Sequence, residues 1–150
     1  MRRPTALLGV LAVLVAALAG CGLGPGKAKD GGAELRVTRD FGQTEIGRPA
    51  KRTKLRDSDT VMRFLQSERK VSLKYGGGFV QSIDGLSGGG ASGRQDWFYF
   101  VNGAEADTGA ADHKLHSGDV VQWDYRNWIA TMHIPAIVGA FPQPLRDGLD

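Results

Sequence analysis

Trp97-Phe98-Tyr99-Phe100-Val101-Asn102-Gly103 places four aromatic rings at consecutive positions and ends on a dipeptide that tolerates positive φ at both residues. Aromatic and β-branched side chains suit a strand, and Asn-Gly suits the tight turn of a hairpin. On a strand, side chains alternate between faces. Trp97, Tyr99 and Val101 then share one face, and Phe98 and Phe100 share the other. A strand with rings on both faces needs two covers. One can be a helix; the second can be another segment of the chain, a partner or a ligand.

The partner strand is expected at Val120-Val121-Gln122-Trp123-Asp124-Tyr125, after the turn signal Ser117-Gly118-Asp119. Val121, Trp123 and Tyr125 share a face there. Upstream, Glu34 to Phe41 alternates polar and apolar residues, with Leu35, Val37 and, after a break, Phe41 suited to a buried face. Gly42 to Asp57 is polar and basic and reads as a loop or hairpin. Ser58 to Glu68 reads as the one helix. Asp57 or Ser58 is its expected cap and Asp59 lies in its first turn. Val61, Phe64 and Leu65 fall on one face, which should lie on a sheet. Val71 to Tyr75 and Phe79 to Ile83 alternate around Gly76-Gly77-Gly78. Asp84-Gly85 is a turn signal, and Ser87 to Gly93 is a glycine-rich connector without a phosphate-loop lysine. Several short strands, one helix and no βαβ alternation predict a small α+β domain over residues 34–127, followed by an apolar, proline-containing tail, 128–150.

The amino terminus reads differently. Met1-Arg2-Arg3 is a positive n-region, and Ala6 to Ala19 is an apolar stretch too short for a permanent span. Residues 1–20 are therefore an expected export signal. Leu18-Ala19-Gly20-Cys21 resembles the bacterial lipobox, and Cys21 is the only cysteine. That resemblance implies diacylglyceryl transfer to the Cys21 sulfur, cleavage before Cys21 and acylation of the new amino group. Two or more acyl chains supply stable anchoring where one does not. With one thiol, no intramolecular disulfide forms. Residues 21–33 read as a flexible, glycine-rich linker with a span of about 20 Å. The expected location is extracytoplasmic, on the cell membrane or an outer membrane.

Signal removal also changes the charge. Residues 1–20 hold two of the 19 basic side chains and none of the 16 acidic ones, so the remainder carries 17 against 16. A field suited to nucleic acid is absent.

A family resemblance rests on the second half of the chain. Gly78-Phe79-Val80-Gln81-Ser82-Ile83-Asp84-Gly85-Leu86 is followed by Trp97 to Gly103, Gly109-Ala110, Leu115, Gly118-Asp119, Val121 and Trp123-Asp124-Tyr125. Together these resemble the transcobalamin C-terminal-like domain, over about Glu34 to Tyr125. The resemblance implies a β-grasp-like mixed sheet with one helix. It also implies a non-catalytic binding module at the cell surface. Its ligand would be a small molecule, cobalamin or a related corrinoid among them, or another protein such as a transporter or other envelope component.

Candidate contact residues are the rings with polar tips: Trp97, Tyr99, Trp123, Tyr125 and Trp128. Most of the rings are expected in the core. His113 and His116 in Asp112-His113-Lys114-Leu115-His116 face opposite sides if extended, and no Cys or His-Glu-x-x-His pattern joins them, so no metal is expected. Arg48 to Arg56 holds five basic residues in nine. It suits polyanions or lipid headgroups, with a solvated loop the favoured reading. Several aspartates, among them Asp84, Asp107 and Asp119, sit in turn contexts. No paired acid and base or nucleophile elbow stands out, so no catalytic residue is expected.

Overall fold

A computed structural model of the protein describes residues 25–89 and 93–139; the expected export signal over 1–20, Cys21 and the end of the tail lie outside the described residues. Along the chain run β1 (Lys29–Arg39), β2 (Thr44–Glu45), β3 (Ala50–Leu55), α1 (Val61–Glu68), β4 (Val71–Lys74), β5 (Phe79–Ile83), β6 (Leu86–Ser87), β7 (Gln95–Val101), β8 (Ala104–Glu105) and β9 (Val120–Asn127). This is the expected α+β class, a mixed sheet with one helix.

The aromatic strand pairs as anticipated. β7 and β9 are antiparallel, with Trp97 opposite Tyr125, Tyr99 opposite Trp123 and Val101 opposite Val121. On its other side β9 runs parallel to β1, setting Leu35 beside Val121 and Val37 beside Trp123. The main sheet is ordered β2-β1-β9-β7-β8, and β3 joins the β1 edge ahead of β2. β4, β5 and β6 form a second, three-stranded sheet. Asn102 and Gly103 take φ of 53° and 86° and turn β7 into β8, as their tolerance of the left-handed region allows.

Alternation puts Leu35, Val37, Val121, Trp123, Trp97 and Tyr125 into one core with Val61, Met62, Phe64 and Leu65 of α1. The helix starts at Val61, later than the sequence reading placed it. Thr60 is the N-cap, its Oγ1 accepting the Arg63 N–H at 3.3 Å. The expected caps are engaged elsewhere. Ser58 Oγ donates to the Pro25 carbonyl at 2.8 Å and the Asp57 carboxylate accepts from Lys29 Nζ at 2.9 Å, while Asp59, expected in the first turn, accepts the Arg56 N–H at 2.8 Å ahead of the helix.

Other boundaries move. The expected 21–33 linker ends early, because β1 begins at Lys29 and pairs Lys29 with Leu55 of β3. Of the loop or hairpin expected over Gly42 to Asp57, the hairpin is what forms: β2 and β3 return antiparallel along β1, whose ladders satisfy their backbone. Phe41 leaves the strand, with φ of 64° in the turn after Asp40.

The tail also departs from its expected place outside the domain. Residues 131–139 are part of the domain and cover the second sheet face. Ile137 and Phe100 are buried together, with Phe98 and Ile134 packed against them. Ile137 donates its N–H to the Gly103 carbonyl at 3.0 Å, and Ala136 bridges to Ala104.

Candidate functional site

The two-residue repeat of β7 and β9 brings four of the five candidate rings together on the helix side. Trp97 and Tyr125 have centroids 5.1 Å apart, and Tyr99 and Trp123 lie 5.2 Å apart. Trp128 is not with them. It follows β9, where its N–H donates to the Arg94 carbonyl at 3.2 Å. Trp97, Trp123 and Tyr125 are buried at 6%, 3% and 6% exposure, so the rings do not make an open platform. Covering both faces of a ring-bearing sheet accounts for this.

Most of the polar tips are held internally. Trp97 Nε1 donates to the Leu86 carbonyl at 3.1 Å and the Tyr125 hydroxyl to the Ser87 carbonyl at 2.8 Å. The Tyr99 hydroxyl donates to the Thr108 carbonyl and lies 3.5 Å from His113 Nδ1. Trp123 differs: its Nε1 is buried and has no acceptor among the described residues. A buried donor without a partner costs about 1–3 kcal/mol.

Trp123 lines a cleft of about 170 Å³ between the β4–β5 hairpin and the 105–110 segment. Gly78 and Phe79 form one side, Trp97 and Tyr99 share the ring wall, and Glu105 and Ala106 close the other side. Burial pushes the Tyr99 phenol up to about 12, with the Asp107 and Asp112 carboxylates adding to it. The phenol is therefore a neutral hydroxyl under ordinary conditions. Next to the cleft, Tyr75 sits in the hairpin turn with φ of 53° and 84% of its surface exposed. Its ring meets Phe79 edge-on at 5.9 Å.

The opposite face carries a polar set that the sequence reading missed. Thr38 Oγ1 donates to Asp124 Oδ1 at 2.8 Å, and Asp124 also accepts the N–H groups of Phe41 and Gly42 at 3.0 and 2.9 Å. Arg126 is fully buried, its guanidinium 3.9 Å from the Phe98 ring centroid and 5.4 Å from that of Phe41. It donates to the Thr131 and Met132 carbonyls at 3.0 and 2.7 Å. Burial lowers its pKa, and the Glu105 and Asp124 charges oppose that shift. Gln122, Asp124 and Arg126 alternate with Val121, Trp123 and Tyr125, which from sequence looks like a solvent face. The available signal was Phe98 and Phe100 on the neighbouring strand, which require that face to be covered.

The histidines are separate. His113 meets the Tyr99 ring edge-on, His116 lies 3.8 Å from Asp119 and His133 lies 3.1 Å from Glu105. Among the described residues no three His, Cys, Asp or Glu side chains are grouped to hold a metal ion. The basic run Arg48 to Arg56 forms the edge strand β3 and its flanks. Arg52 lies over the Phe64 ring at 4.8 Å and pairs with Asp59 at 3.3 Å.

No curated protein matches the chain. The fold is similar to a crystal structure, at 1.30 Å resolution, of a proposed metal-binding protein from Ruminococcus gnavus. That likeness has a TM-score of 0.52 at 19% identity and covers 65% of this chain and 98% of the other. Residues 58–127, from the approach to α1 through the end of β9, match the family model of a domain of unknown function, DUF4430.

Proposed function

We propose that this protein is a non-catalytic binding module, anchored outside the cytoplasm through acylated Cys21, whose contact point is the cleft at Trp123. The observation that carries the reading is the unpartnered Nε1 of Trp123, a residue that lines the cleft and whose ring packs 5.2 Å from that of Tyr99. A ligand group bearing a hydrogen-bond acceptor would satisfy that donor, with Phe79, Trp97 and Tyr99 supplying apolar contact. Pockets that engulf drug-sized ligands run to about 300–1,000 Å³. At about 170 Å³ the cleft receives one protruding group, not a whole macrocycle. A corrinoid of the kind implied by the transcobalamin resemblance would therefore lie over the mouth, near Tyr75, with only an edge inserted. Metal binding, proposed for the Ruminococcus gnavus protein, has no grouped ligand set among the described residues to carry it here.

Calorimetric titration with cobalamin and cobinamide, read together with the three indole N–H resonances, tests this. The Trp123 resonance should move and the resonance of Trp128, which does not line the cleft, should stay. Flat heats with static resonances would sink the small-molecule version. The anchor is checked separately by labelled palmitate, which should be incorporated by the native chain and lost in Cys21→Ser.

A second reading has its own observation. Ile129, Met132 and Val138 are 52%, 50% and 63% exposed along the strap that closes the second face. They suit docking of another envelope protein, a transporter component for instance. Ile129→Ser with Met132→Ser would then release one dominant cross-linked partner in cells while leaving the cleft titration unchanged.

A further inference from the structure

The place where the chain leaves the domain is set by three contacts. Ser58 Oγ holds the Pro25 carbonyl at 2.8 Å, Lys29 Nζ pairs with Asp57 at 2.9 Å, and β1 begins at Lys29 against Leu55. Only three residues, Gly22 to Gly24, then lie between Cys21 and Pro25, a distance of four Cα steps. Such a segment reaches at most about 14 Å, shorter than the span expected of a free linker. A short tether fixes which end of the domain faces the bilayer: the end formed by the start of β1, the end of β3 and the 114–117 turn.

That end is basic. Two clefts, of about 370 and 610 Å³, flank Arg56 there. Six basic side chains and three acidic ones line them together. Lys27, Lys54, Arg56 and Lys114 have no ion-pair partner among the described residues. Lysines on an edge strand also deter edge-to-edge pairing, which accounts for Lys51 and Lys54 on β3. It does not account for Lys27, Lys29 and Lys114, which reach the same end from other segments. With 17 basic and 16 acidic side chains after signal removal, the excess here is a local concentration and not a general basicity.

We propose that this end is a docking surface for anionic phospholipid, with lipid phosphates received in the clefts beside Arg56 and the neighbouring lysines facing the headgroup plane. The orientation rests on anchoring at Cys21; the charge surface does not. Each cation near an anionic leaflet contributes about 1 kcal/mol, and a polybasic patch beside an acyl anchor is an effective second attachment signal. The domain would then lie against the membrane with the Trp123 cleft facing sideways or outward, open to its ligand.

The test uses the unacylated mature chain, residues 21–150 with Cys21→Ser, and vesicles of phosphatidylcholine alone or mixed equally with phosphatidylglycerol. Sedimentation should show binding to the mixed vesicles only, weakening as salt rises. Lys54→Ala with Arg56→Ala should weaken it about fivefold per residue, about 30-fold together. Arg39→Ala with Arg94→Ala removes the same charge at the far end of the sheet and should leave binding unchanged. No binding to the anionic vesicles, or equal loss in both double variants, overturns the proposal. So does competition by inorganic phosphate at equal ionic strength, which would mark a free-anion site. Anionic-vesicle binding without palmitate incorporation in the native chain would remove the anchor and keep the surface; incorporation without vesicle binding would do the reverse.

Discussion

The Arg126 guanidinium lies 3.9 Å from the centroid of the Phe98 ring and is completely buried beneath the chain that follows β9. One side chain from the sheet thus holds the strap above it, through the carbonyls of Thr131 and Met132. Arg126→Met should destabilise the protein by about 3 kcal/mol, since it leaves those carbonyls and Glu105 without their cation. Arg126→Lys should recover only part, because an ammonium lacks the planar fork. Urea unfolding measures both; a loss under about 1 kcal/mol for the methionine variant would mean the strap is held otherwise.

Gly42 has φ of 81°, and a Cβ there would collide with the Val138 carbonyl. Gly42→Ala should cost about 1–2 kcal/mol from the backbone conformation alone. It should also lift the strap. The Ile137 N–H, bonded to the Gly103 carbonyl, should lose protection from hydrogen exchange while the Val37 region keeps its own. Unchanged protection at Ile137 would contradict this account of the strap.

Removing residues 131–150 uncovers Phe98 and Phe100 and leaves Arg126 without its carbonyl partners. The truncated chain should bind a hydrophobic dye and unfold with little cooperativity. A truncated chain that stays cooperative and dye-silent would reduce the strap to an accessory.

Tyr99 gives a pH signature. Its phenol ionises near pH 10 in the unfolded chain and is pushed up to about 12 in the folded one by burial and by the Asp107 and Asp112 charges. The folded state therefore favours the neutral phenol. The stability tied to it is full below pH 10 and is lost as pH rises through about 12. Tyr99→Phe should flatten that alkaline decline in thermal unfolding scans, and tyrosinate absorbance should lose its most alkaline component.

The two buried indoles should respond differently. Trp97→Phe removes volume and a hydrogen bond to Leu86, whereas Trp123→Phe removes volume and an unpartnered donor. Trp97→Phe should be the costlier by about 1 kcal/mol in denaturant unfolding. Equal costs would show that Trp123 Nε1 is satisfied in solution.

Much of the site was visible in the chain before folding. Trp97, Tyr99, Trp123 and Tyr125 share faces because side chains on a strand repeat every two residues, and the turn signals around them limit how the strands pair. Trp128 could not be separated from them by the same logic, because it lies past the end of the β9 pairing. The Trp123 cleft was not legible. It depends on where the β4–β5 hairpin and the 105–110 segment, distant in sequence, stop short of one another. The basic edge was visible as a run of charge but not as a strand, since the ladder that makes it one belongs to β1.

Local order in the sequence determined the α+β class, the aromatic strand, the Asn102-Gly103 turn and the amphipathic helix, because propensity and periodicity act within a few residues. Tertiary structure alone decided that Gln122, Asp124 and Arg126 are interior, that residues 131–139 seal the second face, and that the chain leaves beside a basic end. Burial is a property of what arrives from elsewhere: a polar stripe faces water or the inside of a protein according to whether a distant segment brings enough hydrogen bonds to cover it.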